Sequence, residues 1–370
     1  MLICLHLKEQ MLNKEIGSSF YLLDDCDNEL IALKQNKIPM SFDKFTIYHT
    51  GRNAYLALLK EISNKQKINK IWLPSYFCHN VINNISNNFN NVDFYYINPF
   101  RLNAKLNIEQ FANQEDVVIL NNFWGLTTYS YNLNPNDKPI IIEDHSHGWL
   151  SKQCIKSKAD YCISSIRKTY PIPLGGITWQ PNSNFPLNFY ENTTDKFAIK
   201  AWEKLNESMS QKRNFIKGNS ENFNKIYLSL LEEGESFVSK SNSYTKPNDS
   251  ITNYIKHFID LDPNICKKNN LQYVYKHLKQ SDHFKVIKRR GYIAFGLLLV
   301  FKDENLFYSF KSYMILNNIY PANLWPQNDL KSNWKHLFNI HVDFRYSLDD
   351  MKFIVETINN WNQKNYGQSN

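Results

Sequence analysis

Between residues 70 and 180 the apolar residues come in short runs, too short for helices and separated by stretches with helical spacing. Val117-Val118-Ile119-Leu120-Asn121, Ile140-Ile141-Ile142-Glu143, Tyr161-Cys162-Ile163-Ser164 and Gly176-Ile177-Thr178-Trp179 are the clearest of them. Lys70-Ile71-Trp72-Leu73-Pro74, stopped by its proline, and Val92 to Ile97 precede them. Helices are expected over 52–62, where Ala54, Tyr55, Leu58, Leu59 and Ile62 share a face, over 77–86, and briefly over 108–112. Alternation of this kind predicts an α/β fold, a mainly parallel sheet with helices on both faces. Ligands in such sheets sit beyond the carboxyl ends of the strands.

Two of those ends carry opposite charges. The run beginning at Pro139 closes in Glu143-Asp144, and the next closes in Ser164-Ser165-Ile166-Arg167-Lys168, followed by a Pro-punctuated turn and Gly175-Gly176. A carboxylate at one strand end and a lysine past the next form the pair that pyridoxal 5'-phosphate requires. The lysine forms the Schiff base with the aldehyde, and the aspartate pairs with the pyridinium nitrogen to keep the ring an electron sink. Each residue alone has an ordinary structural explanation; together they gain weight from a third element upstream. At His49-Thr50-Gly51-Arg52, Thr50 can cap the expected helix and Gly51 lets the backbone approach an anion, which makes a phosphate cup.

Residues 195–235 read as long polar helices with apolar spacing at Phe215, Phe223, Ile226, Leu230 and Leu231. Ser239 to Ser250, rich in Ser and Asn around Pro247, reads as a boundary or mobile loop. Beyond it a strand over 293–301, a helix over 306–317, a strand over 340–342 and a helix over 348–361 suggest a smaller α+β domain. The expected division is an N-terminal segment 1–45 packing with the small domain, a large cofactor-binding domain 46–245 and a small domain 246–370.

With 370 residues, 42% of them hydrophobic and 15% aromatic, the chain can bury a sizeable core. It has no apolar run of about 18 residues to cross a membrane, and Met1 to Gln10 lacks the apolar core of a signal peptide. Six scattered cysteines without metal spacing fit a reducing cytoplasm, and no metal is expected. The net charge of +8 is dispersed, with only Lys288-Arg289-Arg290 as a tight cluster. That pattern argues against nucleic acid and for an anionic small substrate.

Assembled, these residues resemble the fold-type I pyridoxal-phosphate aminotransferases of the DegT/StrS (sugar aminotransferase) type, in a branch whose lysine sits in a Ser-x-Arg-Lys context. Glu15-Ile16-Gly17-Ser18-Ser19-Phe20, Thr50-Gly51-Arg52, Leu73-Pro74-Ser75-Tyr76, Phe123-Trp124-Gly125, Glu143-Asp144, Arg167-Lys168 and Asp343-Phe344-Arg345-Tyr346-Ser347 follow in the family order. The resemblance implies a seven-stranded-type sheet sandwiched by helices, a homodimer, and transfer of an amino group from an amino acid to a keto or aldehyde sugar nucleotide or similar precursor. The setting it implies is surface polysaccharide or secondary metabolite synthesis. It implies Lys168 as Schiff-base lysine and proton shuttle and Asp144 at the ring nitrogen. It also implies backbone N–H groups of Gly51 and Arg52 on the phosphate, with a hydroxyl from Ser165 or Ser164. Tyr76 or Phe77 would stack on the ring. His147 replaces the glutamine that many relatives carry near the phenolic oxygen. Arg345 either binds the donor's carboxylate or forms a structural salt bridge with Asp343. The same scaffold would also serve a dehydratase or decarboxylase. A non-catalytic relative would need neither Lys168 nor Asp144.

Overall fold

The computed structural model describes residues 15–37, 44–131, 133, 137–218, 225–326 and 328–365. The expectations placed on Met1 to Gln10, Cys4 and Phe223 lie outside the described residues. The chain divides into two compact units, one of residues 37–209 and 226–261 and one of residues 1–36, 210–225 and 262–370.

The first unit is built on strands β1 (Thr46–Tyr48), β2 (Ile71–Pro74), β3 (Val92–Tyr95), β4 (Asn103–Lys105), β5 (Val117–Asn121), β6 (Thr128–Ser130), β7 (Ile140–Asp144), β8 (Tyr161–Ser164) and β9 (Gly176–Trp179). Seven of them form one sheet in the order β1-β9-β8-β7-β5-β2-β3. From β8 to β3 every pairing is parallel; β9 runs antiparallel to both β8 and β1. β4 and β6 make a separate parallel pair. Val117 to Leu120 are wholly buried, as central parallel strands covered on both faces should be.

The helix Gly51–Lys65 starts where the sequence places it, with Thr50 Oγ1 accepting from Asn53 N at 3.1 Å. Leu56 and Ala57 are buried along with the expected stripe, because the helix packs against β1, β8 and β9. The next helix spans His79–Ser86, shorter than expected, since Cys78 remains extended as its N-cap. Cys78 and His79 therefore lie on either side of a helix boundary.

Two helices, Lys196–Ile216 and Ile226–Lys240, replace the long polar region. Their burial differs from the expected stripe. Ala201, Leu205 and Val238 close on Leu174, while Ile226 and Leu228 are exposed. Leu231 of the expected stripe packs against this cluster with Trp202 and Phe237, and Gly234 makes room for Leu205, whose side chain would stand 2.7 Å from a Cβ there. Residues 239–250 are no linker here, for they lie inside this unit. Ser241 and Ser243 donate to the Asp195 carboxylate at 2.6 and 2.9 Å, and Asn53 donates to Ser241 Oγ and to the Ser243 carbonyl.

The second unit carries an antiparallel sheet in the order β10-β11-β13-β12, made from Phe284–Val286, Leu297–Phe301, His336–Ile340 and Ala322–Asn323. Helices Asn264–His277, Glu304–Leu316 and Leu348–Lys364 accompany it. Phe301, Phe310, Phe338 and Trp361 form its aromatic core. Ser347 and Asp350 cap the last helix reciprocally. Lys212 is buried against Glu15, Ser18 and Ser19, and burial pulls its pKa down to about 7 although the Glu15 charge opposes this.

In the first unit, a Cβ at Gly176 would stand 2.2 Å from the Thr50 carbonyl oxygen and 2.7 Å from Gly51 N. Those neighbours are backbone and cannot swing aside. Gly176→Ala should cost about 3 kcal/mol, read as a lowered denaturant midpoint at unchanged slope.

Candidate active site

The strand order brings the carboxyl ends of β7 and β8 side by side, with Asp144 paired to Ile163 in register. Asp144 is buried, and its two oxygens are held separately: Ser146 N donates to Oδ1 at 2.7 Å and the Tyr55 hydroxyl to Oδ2 at 2.8 Å. The two donors replace hydrogen bonds to water that the carboxylate gives up on burial.

After β8 the chain turns tightly through Ile166–Lys168. Ser165 N donates to Ser146 Oγ at 2.9 Å and Ile166 N to the Gly175 carbonyl at 3.0 Å, so the turn is tied to both neighbouring segments. Lys168 Nζ emerges 3.2 Å from His147 Nε2. An ammonium only donates, so a protonated Lys168 places the imidazole proton on Nδ1. The preceding residue, Arg167, forms a bidentate pair with Glu235 at 2.6 and 3.1 Å. Burial works against both charges, and their mutual attraction outweighs it, so the Arg167 pKa is raised and that of Glu235 lowered.

The third component is the start of the helix Gly51–Lys65. Asn53 N is taken by Thr50 Oγ1 and Ala54 N by the Thr50 carbonyl. Among the described residues no backbone partner takes the N–H groups of Gly51 and Arg52, which stand as open donors at the positive end of the dipole. A Cβ at residue 51 would lie 3.0 Å from Ser165 Cβ and 3.5 Å from Ser165 Oγ, so this hydroxyl stands beside the helix start. Ser164, by contrast, is wholly buried and directs its hydroxyl to the His145 carbonyl at 3.4 Å. The Arg52 side chain turns away to the Val238 carbonyl at 2.7 Å. Burial and then the Arg167 charge lower its pKa.

Tyr76 and Phe77 are both buried. Tyr76 belongs to a cluster with Phe123 and Trp124, whereas Phe77 meets Tyr55 edge-on at 6.4 Å between centroids. Trp124 holds a left-handed backbone at φ 56°, an uncommon conformation for a bulky residue. His145 is wholly buried: Asn122 Nδ2 lies 3.1 Å from its Nδ1, and Glu143 lies 3.2 Å from its Nε2. Glu143, His145 and Cys162 are close enough together to suggest a metal cluster. Each has a protein partner: Gln153 donates to Glu143, Cys162 donates to Ser157, and Asn122 meets His145.

Arg345 belongs to the other unit. Its Nε and Nη2 donate to the two oxygens of Asp343 at 2.9 and 2.8 Å, and Nη1 donates to the carbonyls of Ser18 and Ser19. The guanidinium also lies 4.0 Å from the centroid of the Phe20 ring. The salt-bridge alternative describes these contacts. Sequence reasoning gave no role to Tyr55, Ser146, Glu235 or Asp195. A phenol one turn into a helix otherwise lined by aliphatic residues was the only visible hint.

No family model and no curated protein matches the sequence. Solved structures do match. Spr1654 of Streptococcus pneumoniae, assigned as a sugar aminotransferase and solved in its PLP-form, aligns at a TM-score of 0.57 and 10% identity, covering 95% of this chain and 99% of that one. PseC of Helicobacter pylori, an aminotransferase in pseudoaminic acid biosynthesis, aligns at 0.55 and 12%, covering 95% and 100%. The sugar aminotransferase CalS13 of Micromonospora echinospora aligns at 0.53 and 13%, covering 94% and 100%. Over nearly its whole length, the chain has the α/β fold of these aminotransferases.

Proposed function

We propose that the chain is a pyridoxal-phosphate-dependent aminotransferase that moves an amino group from an amino acid to a keto or aldehyde sugar nucleotide or a similar precursor. One observation carries the reading. A buried, doubly held carboxylate and a lysine amine follow adjacent strand ends, beside a helix start that a serine side chain stands against. The shared fold of PseC, which acts in pseudoaminic acid biosynthesis, and of CalS13 supports a sugar-derived acceptor and a biosynthetic setting in surface polysaccharide or secondary metabolism.

The residues fit the cofactor. Gly51 and Arg52 N–H with Ser165 Oγ would take the phosphate, and the close contact at Gly51 leaves backbone rather than side chain lining that wall. Asp144 would hold the proton of the pyridine nitrogen, and Phe77 or Tyr76 would cover a ring face. When bound, pyridoxal phosphate supplies the aldehyde that receives the amino group and the electron-poor ring that takes up charge. Lys168 Nζ is the amine that would hold the aldehyde carbon and carry a proton to and from the substrate. His147 Nε2, within hydrogen-bond reach of that nitrogen, would help to keep its proton in place or lie against the phenolic oxygen. Arg167, paired with Glu235, fixes the turn that aims the lysine.

We place the enzyme in the cytoplasm as a homodimer, without membrane or nucleic-acid partner. No helix among the described residues is long and apolar enough to cross a membrane, and the described cysteines are free. Ile226 and Leu228, 52% and 44% exposed, offer apolar surface that a second subunit would bury.

Borohydride treatment of the protein loaded with pyridoxal phosphate should leave its covalent adduct on Lys168. Lys168→Ala should lower turnover by about 1,000-fold or more at an unchanged melting temperature. Peptide mapping that finds the adduct on another lysine would remove the central assignment. Sedimentation should show a dimer that loses cofactor as it dissociates on dilution; a stable, fully active monomer would contradict the assembly.

A further inference from the structure

The sequence marks Tyr55 only as one of five residues on the buried face of a helix. In the structure its phenol donates to Asp144 Oδ2 at 2.8 Å, while Ser146 N donates to Oδ1 at 2.7 Å. Asp144 is 5% exposed, so these two bonds replace most of the hydration its carboxylate lost on burial. An ionised carboxylate offers about four lone-pair positions, two on each oxygen. With one donor on each oxygen, each keeps one position for an N–H arriving from outside.

Tyr55 is well built for this contact. It is 1% exposed, and the Phe77 ring meets it edge-on, at 89° between planes, which limits how far the phenol can tilt. Burial, and after it the Asp144 charge, push the phenol well above its ordinary pKa, so it remains a proton donor to the carboxylate. Tyr55 also stands four residues after Gly51 in the same helix, about 6 Å along its axis. One rigid element therefore carries the open N–H donors at one point and the grip on Asp144 a turn further on.

We propose that Tyr55 is a positioning residue for the transamination: its hydroxyl fixes the Asp144 carboxylate in the orientation that meets the cofactor's ring nitrogen. The helix Gly51–Lys65 thereby sets the span between the phosphate donors and the ring-nitrogen partner. The inference rests on the pyridoxal-phosphate reading above and adds a determinant to it. A Tyr55 acting only as core filler would make the same ring contacts without its hydroxyl mattering.

The test is a cycle of Tyr55→Phe and Asp144→Asn, because the phenylalanine keeps the ring packing and removes only the donor. Turnover of Tyr55→Phe should fall about 10-fold with KM little changed. Apoprotein dialysed against pyridoxal 5'-phosphate or its 1-deaza analogue, which lacks the ring nitrogen, supplies a second reading. The preference of Tyr55→Phe for the nitrogen-bearing compound should drop about 5-fold relative to wild type. In the Asp144→Asn background, Tyr55→Phe should add less than about 2-fold to either loss. Equal losses in both backgrounds, or an unchanged preference against the deaza analogue, would overturn the positioning role. Wild-type protein that binds neither compound would overturn the cofactor reading itself, and this inference with it.

Discussion

The site is organised by the close passage of the Thr50 carbonyl over Gly176. In register, β9 begins with Gly176 opposite Tyr48 of β1, and its next residue, Ile177, lies opposite Ser164 of β8. The chain leaving β1 and the chain leaving β8 are thus separated by one intervening strand, about 10 Å at the usual strand spacing. For the helix start at Gly51 to come against Ser165, it has to lean across the first residue of β9. Only a residue without a side chain leaves the room, since a Cβ at 176 would stand 2.2 Å from the Thr50 oxygen. The open N–H donors, the serine hydroxyl and the lysine turn are brought together by that one approach.

The charges around this junction are braced from a distant part of the chain. Val238 accepts from Arg52, Glu235 pairs with Arg167, and Ser241 and Ser243 link Asn53 to Asp195. The end of the helix Ile226–Lys240 and the segment after it therefore anchor residues on both sides of the lysine. Buried polar networks of this kind rigidify when each member is bonded. The Ser- and Asn-rich composition of 239–250, which by itself suggests a mobile linker, is explained by this bonding role.

In the other unit, buried cations are held by the same kind of bonding. Arg345 is held by Asp343, by two carbonyls of the Ser18-Ser19 segment and by the face of Phe20. Lys212 donates to the same serines and pairs with Glu15. Two buried cations thereby fasten the segment around residues 15–20 to elements far away in sequence, where a purely apolar contact would have left its backbone carbonyls without donors.

The strand runs 117–121, 140–144, 161–164 and 176–179 were legible from the sequence because residues buried on both faces need no alternation with polar ones. Asp144, Lys168 and the Thr50-Gly51 helix start were legible for a related reason. Each sits where a regular element ends, and ends carry their own residue signatures. Pairing could not be read in this way. The antiparallel course of β9, the choice of Ser165 rather than Ser164 beside Gly51, and the packing of Ala201, Leu205 and Val238 on Leu174 follow from which elements meet in space. So does the grip of Tyr55 on Asp144, a contact across 89 positions of chain. Local sequence determines where strands and helices begin and what chemistry waits at their ends. Which side chains face one another is decided by packing between distant segments, and the hydrogen bonds made there belong to the tertiary structure.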